Sequence, residues 1–342
     1  MAKGKKSVFF CQNCGHEENK WLGQCPMCKE WNTFVEEPVS FSKSASAKLI
    51  KDAEVVALKH VETDQEERIK TKIEELDRVL GGGIVPGSLL LVGGDPGIGK
   101  STLLLQVCQR LCEDKHQVLY ISGEESLKQI KLRANRMGEF TEDLLLLCET
   151  NLEIVKNVIQ KRKPEVVIID SIQTMYTSDI ESAPGSVSQV RTCGNELMRI
   201  GKMHGIPVFI VAHVTKSGDL AGPRIVEHMV DCVLSFTGDR SHEMRILRAQ
   251  KNRFGTTSEI GAFEMAQQGL MEIENLSGTL LEEMEKDSEG AVVTAVYEGT
   301  RPLVLEVQAL TSQANIGFAR RTALGVDNSR LSMILAVLEK KM

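Results

Sequence analysis

Short, mostly apolar runs at residues 89–92, 118–122, 144–147, 166–170 and 208–211 recur through the middle of the chain. Their length and lack of alternation predict strands buried on both faces, as in a parallel sheet. Longer stretches of helical spacing lie between them, the first opening at Thr102. This succession predicts a doubly wound, mostly parallel α/β sheet, in which polar chemistry gathers just beyond the carboxyl ends of the strands. Ahead of it, residues 73–80 form a helix-like run stopped by Gly81-Gly82-Gly83 and turned by Pro86-Gly87. Residues 36–68 are rich in Ser, Lys, Ala and Glu without periodicity and read as a tether. Past about residue 287 the pattern changes: 291–299 and 302–307 look like a hairpin, and 327–340 has helical spacing.

The residues just beyond each strand supply the candidate chemistry. After the first stand Gly94, Asp95, Pro96, Gly97, Ile98, Gly99, Lys100 and Ser101, a full G-x-x-x-x-G-K-S phosphate-binding loop, with Thr102 continuing into the helix. Its glycines let backbone N–H groups and the helix N-terminus face phosphate oxygens. Lys100 is expected to reach the β and γ phosphates of a nucleoside triphosphate, and Ser101 to offer a hard oxygen to Mg²⁺. Asp170 ends a strand after four apolar residues, where a carboxylate can hold the Mg²⁺ shell opposite Ser101. Glu124 and Glu125 come after residues 118–122 through Gly123, and Glu124 is the candidate to orient the water that attacks the γ-phosphate. His213, beyond 208–211, is a candidate γ-phosphate sensor. Structural readings compete with each: a turn aspartate, an acidic N-cap region ahead of the helix from Ser126, and a capping or packing histidine.

Four of the nine cysteines sit near the N-terminus as Cys11-x2-Cys14 and Cys25-x2-Cys28. Two such knuckles can close a tetrahedron of sulfurs about one Zn²⁺ with no open position, so the site is expected to be structural. His16 lies between the pairs and reads as a solvated loop histidine. Trp21, Trp31 and Phe34 crowd this module, and packing is the reading preferred over stacking on a base or partner. Cys108, Cys112, Cys148, Cys193 and Cys232 read as reduced, buried thiols. The chain has 342 residues, enough for two domains and a small appendage. With 41 basic and 47 acidic residues its net charge is −6, so any nucleic-acid binding must use local loops. No long apolar run or signal pattern occurs, which predicts a cytoplasmic protein with no membrane partner.

The cysteine module, Glu75-Leu76-Asp77-Arg78-Val79-Leu80-Gly81-Gly82-Gly83, the phosphate loop, Ser122-Gly123-Glu124-Glu125-Ser126 and Lys251-Asn252-Arg253-Phe254-Gly255 together resemble the bacterial RadA (Sms) family of DNA repair and recombination proteins. The resemblance covers essentially the whole chain. It implies a zinc-binding module at 1–35, a linker at 36–68, a RecA-like P-loop ATPase core at 69–275 and part of a Lon-protease-like domain at 286–342. It implies an ATP hydrolase using ATP, Mg²⁺ and Zn²⁺, assembled as a hexameric ring, that acts on single-stranded and branched DNA alongside RecA recombinase. Lys100, Glu124 and Asp170 would act in cis, and Lys251 and Arg253 would complete the neighbouring subunit's site; read alone, those two are a solvated basic turn. DNA contacts would fall on loops at 174–188, with Ser178, Ser182, Gly185 and Ser186 marking mobility, and at 216–224, with Lys216 and Arg224. Arg320 and Arg321 are a further candidate duplex contact or a surface turn. Rival readings are an ATP-switched DNA clamp that does not translocate, a KaiC-like regulatory ATPase and, more remotely, an ATP-dependent protease subunit.

Overall fold

The computed structural model describes residues 7–38, 57–60, 68–212, 225–238, 243–281, 289–311 and 322–341. Three short antiparallel strands come first, β1 (Ser7–Cys11), β2 (Glu17–Glu18) and β3 (Phe34–Pro38), in the order β2-β1-β3. Their core is Cys11, Cys25 and Phe34, with Phe9, Cys14, Leu22 and Cys28 packed against it. So little apolar area cannot hold a segment of this size without a metal or crosslink. β3 runs on through Glu36 and Glu37 to Pro38, pairing with Ser7, Val8 and Phe9, so these residues are strand rather than tether. Its inward position is the charged Glu37, 5% exposed, and no apolar alternation therefore marks it in the sequence. Apart from residues 57–60 and 68, the rest of that stretch lies outside the described residues.

Helices and strands then alternate: α1 (Glu74–Leu80), β4 (Leu89–Gly94), α2 (Lys100–Glu113), β5 (Val118–Ser122), α3 (Leu127–Ala134), β6 (Leu144–Cys148), α4 (Leu152–Arg162), β7 (Val166–Asp170), α5 (Val187–His204), β8 (Val208–Val211), α6 (Ile225–Met229) and β9 (Cys232–Thr237). β10 (Met244–Asn252), β11 (Ile260–Ala266) and β12 (Gly269–Glu272) extend β9 as an antiparallel meander. The strands β4 to β12 form one nine-stranded sheet, ordered β12-β11-β10-β9-β4-β8-β7-β5-β6 and parallel from β9 to β6. Alternation along each strand divides the core. On β7, Val166 and Ile168 pack with Leu103, Leu104 and Leu105 of α2, whereas Val167 and Ile169 pack with Val155 and Ile159 of α4 and Leu197 of α5. Burying a side chain such as Ile169 contributes about 1.5–3 kcal/mol, so helices on both faces are needed to cover the sheet.

At the end of α1, Gly81 takes φ +80 as the helix's left-handed cap, and a Cβ there would come 3.3 Å from the Gly255 Cα. Asn252 donates to the carbonyls of Val79 and Leu80 at 3.4 and 3.3 Å. The Gly81-Gly82-Gly83 turn and the Lys251–Gly255 run, far apart in sequence, thus pack on each other.

The chain forms two compact units, residues 1–276 with 297–303 and residues 277–296 with 304–342. The N-terminal strands and the nine-stranded sheet share the first. The remaining elements are α7 (Leu276–Leu281), the paired β13 (Ala291–Glu298) and β14 (Arg301–Gln308), and α8 (Asn328–Lys341). No side chain of α8 is buried.

Within the first unit, Arg301 donates to the Glu75 carboxylate at 2.8 Å and to the Ile273 and Glu274 carbonyls, each at 3.2 Å. Glu75 is 4% exposed and also accepts from the Ala262 N–H at 2.7 Å. Arg301→Ala leaves that buried carboxylate short of a cation and is expected to lower stability by roughly 3 kcal/mol. Urea unfolding measures the loss, and adding Glu75→Gln to the variant recovers part of it.

Candidate nucleotide site and metal centre

β4 ends at Gly94 and α2 begins at Lys100, so the phosphate loop bridges strand and helix with no spare residues. Gly94 has φ +149, and a Cβ there would stand 2.5 Å from the Phe236 carbonyl; at Gly99, φ +116, it would stand 2.7 Å from the Met265 methyl. Only glycine lets the loop pass so close to β9 and β11. Ile98 is buried beneath the loop, and Ser101 and Thr102 lie half-buried in the first turn of α2. Lys100 is 4% exposed and donates to the Gly94 and Asp95 carbonyls at 2.6 and 2.9 Å. Burial pushes its pKa down, while the nearby charges of Asp170, Asp95 and Glu124 oppose that shift. The loop lysine, the acid ending β7 and the glutamate after β5 therefore share one electrostatic neighbourhood.

Asp170 pairs with Ser122 across β7 and β5, is 6% exposed, and accepts from the Tyr120 hydroxyl at 2.5 Å. Glu124 accepts from the Ser171 hydroxyl, whereas Glu125 forms an ion pair with Arg133 of α3. The two adjacent glutamates thus part company, one toward the sheet edge and one toward the following helix. That helix starts with a capping box: Ser126 accepts from the Gln129 N–H at 3.4 Å, and the Gln129 side chain accepts from the Ser126 N–H at 2.9 Å. Gly123 does more than connect strand to glutamates. A Cβ there would lie 2.0 Å from the Thr174 hydroxyl, and its N–H donates to the Asp170 carbonyl at 2.8 Å. The sequence offers no sign of that close approach beyond the glycine itself.

Lys251 and Arg253 lie elsewhere. Lys251 donates to the Glu227 and His228 carbonyls at the end of α6, and Arg253 pairs with the buried Asp231 at 3.1 Å. The other oxygen of Asp231 accepts from the N–H of Leu89, the first residue of β4. Gly94 ends that same strand, so the Arg253 anchor and the phosphate loop stand about 15 Å apart along β4. His213, Lys216, Arg224, Arg320 and Arg321 lie outside the described residues.

The loop at 174–188 differs from expectation. Gln189, 1% exposed, accepts from the Thr177 N–H at 2.9 Å and donates to the carbonyls of Thr177, Ile180 and Ser182. Ser182 and Ser188 are themselves buried and bond each other at 2.6 Å. These serines fasten the loop, because a single buried amide gathers its backbone groups onto α5.

In the N-terminal module, the ligand atoms of Cys11, Cys14, Cys25 and Cys28 all fall within 4.8 Å of one another. Cys11–Cys28 and Cys14–Cys25 sulfurs are 3.6 and 3.5 Å apart, close to the edge of about 3.8 Å for a tetrahedron of Zn–S bonds. Burial pushes the Cys14 thiol up to about 12; at Cys11 burial is outweighed by the Thr33 hydroxyl and the Cys14 and Asn13 N–H groups, which bring it to about 7. The donor set and spacing fit Zn²⁺, which keeps all four sulfurs deprotonated. His16 bonds Glu18 at 3.1 Å and meets Phe34 edge-on. Phe34 is buried as expected, but Trp21 and Trp31 are 52% and 65% exposed and flank Gly23, so they do not serve as core. Of the five scattered cysteines, Cys148 is exposed and the rest are buried.

A family model described as an AAA domain matches residues 53–219, and one described as a rubredoxin metal binding domain matches residues 9–36. DNA repair protein RadA of Bacillus subtilis (strain 168) is 54% identical over 350 residues, which covers 100% of this chain and 75% of that protein. RadA of Listeria monocytogenes is 54% identical over 344 residues with the same coverage. The chain belongs to the RadA family of DNA repair proteins. The KaiC-like protein PH0186 from Pyrococcus horikoshii shares its fold, with a TM-score of 0.50 at 18% identity over 60% of this chain and 98% of that one. The resemblance carried by the cysteine module and the Lys251–Gly255 run is borne out. RadA membership makes the chain a DNA repair ATPase with ATP, Mg²⁺ and Zn²⁺ as its cofactors, on a mostly parallel α/β sheet with a zinc module. Among the described residues no helix is long and apolar enough to cross a membrane.

The zinc module of this RadA-family chain is fastened to the loop after β7. Glu37 accepts from the N–H groups of Val187 and Ser188, at 3.0 and 3.4 Å, and from the Ser188 hydroxyl. Arg191 of α5 pairs with Glu17 at 2.5 Å. Stripping zinc is expected to unfold residues 7–38 and expose both that segment and the loop to protease, read as new cleavage sites by mass spectrometry. Glu37→Gln, which keeps the shape and loses the charge, is expected to weaken the attachment by about 1–3 kcal/mol without loss of bound zinc.

Proposed function

We propose that the chain is a DNA-dependent ATPase motor that translocates on single-stranded DNA and processes branched recombination intermediates by branch migration, alongside RecA recombinase, as a hexameric ring in the cytoplasm. The observation that carries this reading is the separation within one protomer: Lys100, Asp170 and Glu124 gather at the carboxyl edge of the sheet, while Lys251 and Arg253 are anchored toward its other end. A finger that cannot reach its own site supports a second copy of the chain as its partner. The RadA name of the relatives supports the DNA substrate.

Phosphoryl transfer demands positioning and charge stabilisation more than covalent chemistry. The loop N–H groups and the start of α2 receive the phosphate oxygens, and Lys100 exchanges its two carbonyl partners for the β and γ phosphates. Ser101 and Asp170 would hold Mg²⁺, whose positive charge would be supplied against the phosphates. Glu124, held by Ser171, orients the attacking water. Arg253 and Lys251 stabilise charge on the γ-phosphate of the adjoining subunit, so that hydrolysis waits on assembly. His213 comes after β8 and is the proposed γ-phosphate sensor.

Steady-state ATP hydrolysis at one fixed salt, with and without single-stranded DNA, tests the reading; salt is fixed because phosphate contacts weaken steeply with it. DNA is expected to stimulate hydrolysis, and Lys100→Ala to abolish it. Glu124→Gln is expected to bind ATP and to hydrolyse it about 10²–10⁴-fold more slowly. Strand displacement that requires hydrolysis separates a motor from a clamp. Hydrolysis indifferent to DNA in an assembled chain would sink the DNA-motor reading.

A further inference from the structure

Tyr120 is one of three tyrosines in the chain and stands in the middle of β5. It is 1% exposed among Ile168, Val166, Leu103 and Cys108, on the sheet face that α2 covers. A phenol in such surroundings needs a hydrogen-bond partner. Its partner is the Asp170 carboxylate, 2.5 Å away. In the parallel register Tyr120 sits beside Ile168 and Ser122 beside Asp170, so Tyr120 and Asp170 are diagonal neighbours on one face. Diagonal positions are about 7–8 Å apart at the backbone, a gap that a tyrosine spans and a serine or threonine does not.

We infer that Tyr120 is a positioning residue for Asp170, fixing that carboxylate for the Mg²⁺ that accompanies ATP. The inference rests on Asp170 being the acid of the Mg²⁺ shell. β5 and the glycine after it grip Asp170 at two points: Tyr120 holds a side-chain oxygen, and the Gly123 N–H holds the main-chain carbonyl at 2.8 Å. A carboxylate with one oxygen tied to a phenol no longer rotates freely about its Cβ–Cγ bond. Its orientation is therefore set before nucleotide and cation arrive, at no further entropic loss on binding. Partners of this kind behind metal-binding groups typically change metal affinity or activity by about 10–100-fold when removed.

The structural alternative is that Tyr120 merely fills the core, with Asp170 satisfying its hydroxyl. Mg²⁺ titration of the full chain separates the two. Binding of a fluorescent ATP analogue is followed as Mg²⁺ is raised, for the parent chain, Tyr120→Phe, Tyr120→Met, Asp170→Asn and the Tyr120→Phe/Asp170→Asn double variant. Both Phe and Met fill the site without donating, so the readout does not hang on one substitution folding. The Mg²⁺ midpoint is expected to rise about tenfold in the Tyr120 variants, with affinity for the analogue in EDTA unchanged. The double variant is expected to match Asp170→Asn alone. A lower melting temperature with an unmoved Mg²⁺ midpoint, while Asp170→Asn does move it, would overturn the inference and leave the ATP site as described. An unmoved midpoint in Asp170→Asn itself would overturn both the inference and the reading of Asp170 on which it rests.

Discussion

A parallel sheet covered on both faces has nowhere to place a charge except at the ends of its strands. In β4, β8, β7 and β5 the strand interiors are sealed on one side by α2 and on the other by α4 and α5. A carboxylate or ammonium in mid-strand would lose its hydration with no partner to replace it. The charged groups that β4, β5 and β7 carry accordingly come after the last apolar residue, and the shared register brings those ends together. Lys100, Asp170 and Glu124 meet because the hydrophobic layers leave them no other place.

The same constraint separates the two halves of the proposed catalytic machinery. Asp231 is buried where β4 begins and holds both the Leu89 N–H and Arg253. β4 thus has a cation anchor at one end and a phosphate loop at the other, joined by a stiff strand. In the proposed assembly of identical copies, a subunit whose loop holds ATP would present Lys251 and Arg253 to its neighbour through the same strand. The zinc module occupies a different junction, where Glu37 sits on the first turn of α5 and Gln189 gathers the loop after β7.

Much of this is legible in the sequence wherever one residue type has one physical use. Uninterrupted apolar runs mark the buried strands, the phosphate loop names itself, and paired Cys-x2-Cys knuckles announce a four-sulfur site that the structure brings within bonding reach of one ion. The rest is hidden by long-range pairing. β10 reads Met-Arg-Ile-Leu-Arg-Ala-Gln-Lys-Asn, a strand whose charged positions interrupt the apolar ones, and only its final basic residues stand out. Glu37 looks like linker because its partner lies 150 residues away. Tyr120 looks like strand filler, since nothing in its neighbourhood reveals that Asp170 stands diagonally opposite. Trp21 and Trp31 mislead in the other direction: aromatic rings in a small module suggest core, yet the four sulfurs and Phe34 already fill it.

The division of the catalytic site between copies is the central claim, and subunit mixing tests it most directly. Lys100→Ala subunits keep Lys251 and Arg253, and Lys251→Ala subunits keep the phosphate loop, so each supplies what the other lacks. The two inactive variants, mixed and shown to assemble together, are expected to recover a substantial part of the ATP hydrolysis of the parent chain. Mixed assemblies that form normally and hydrolyse no ATP would contradict that division.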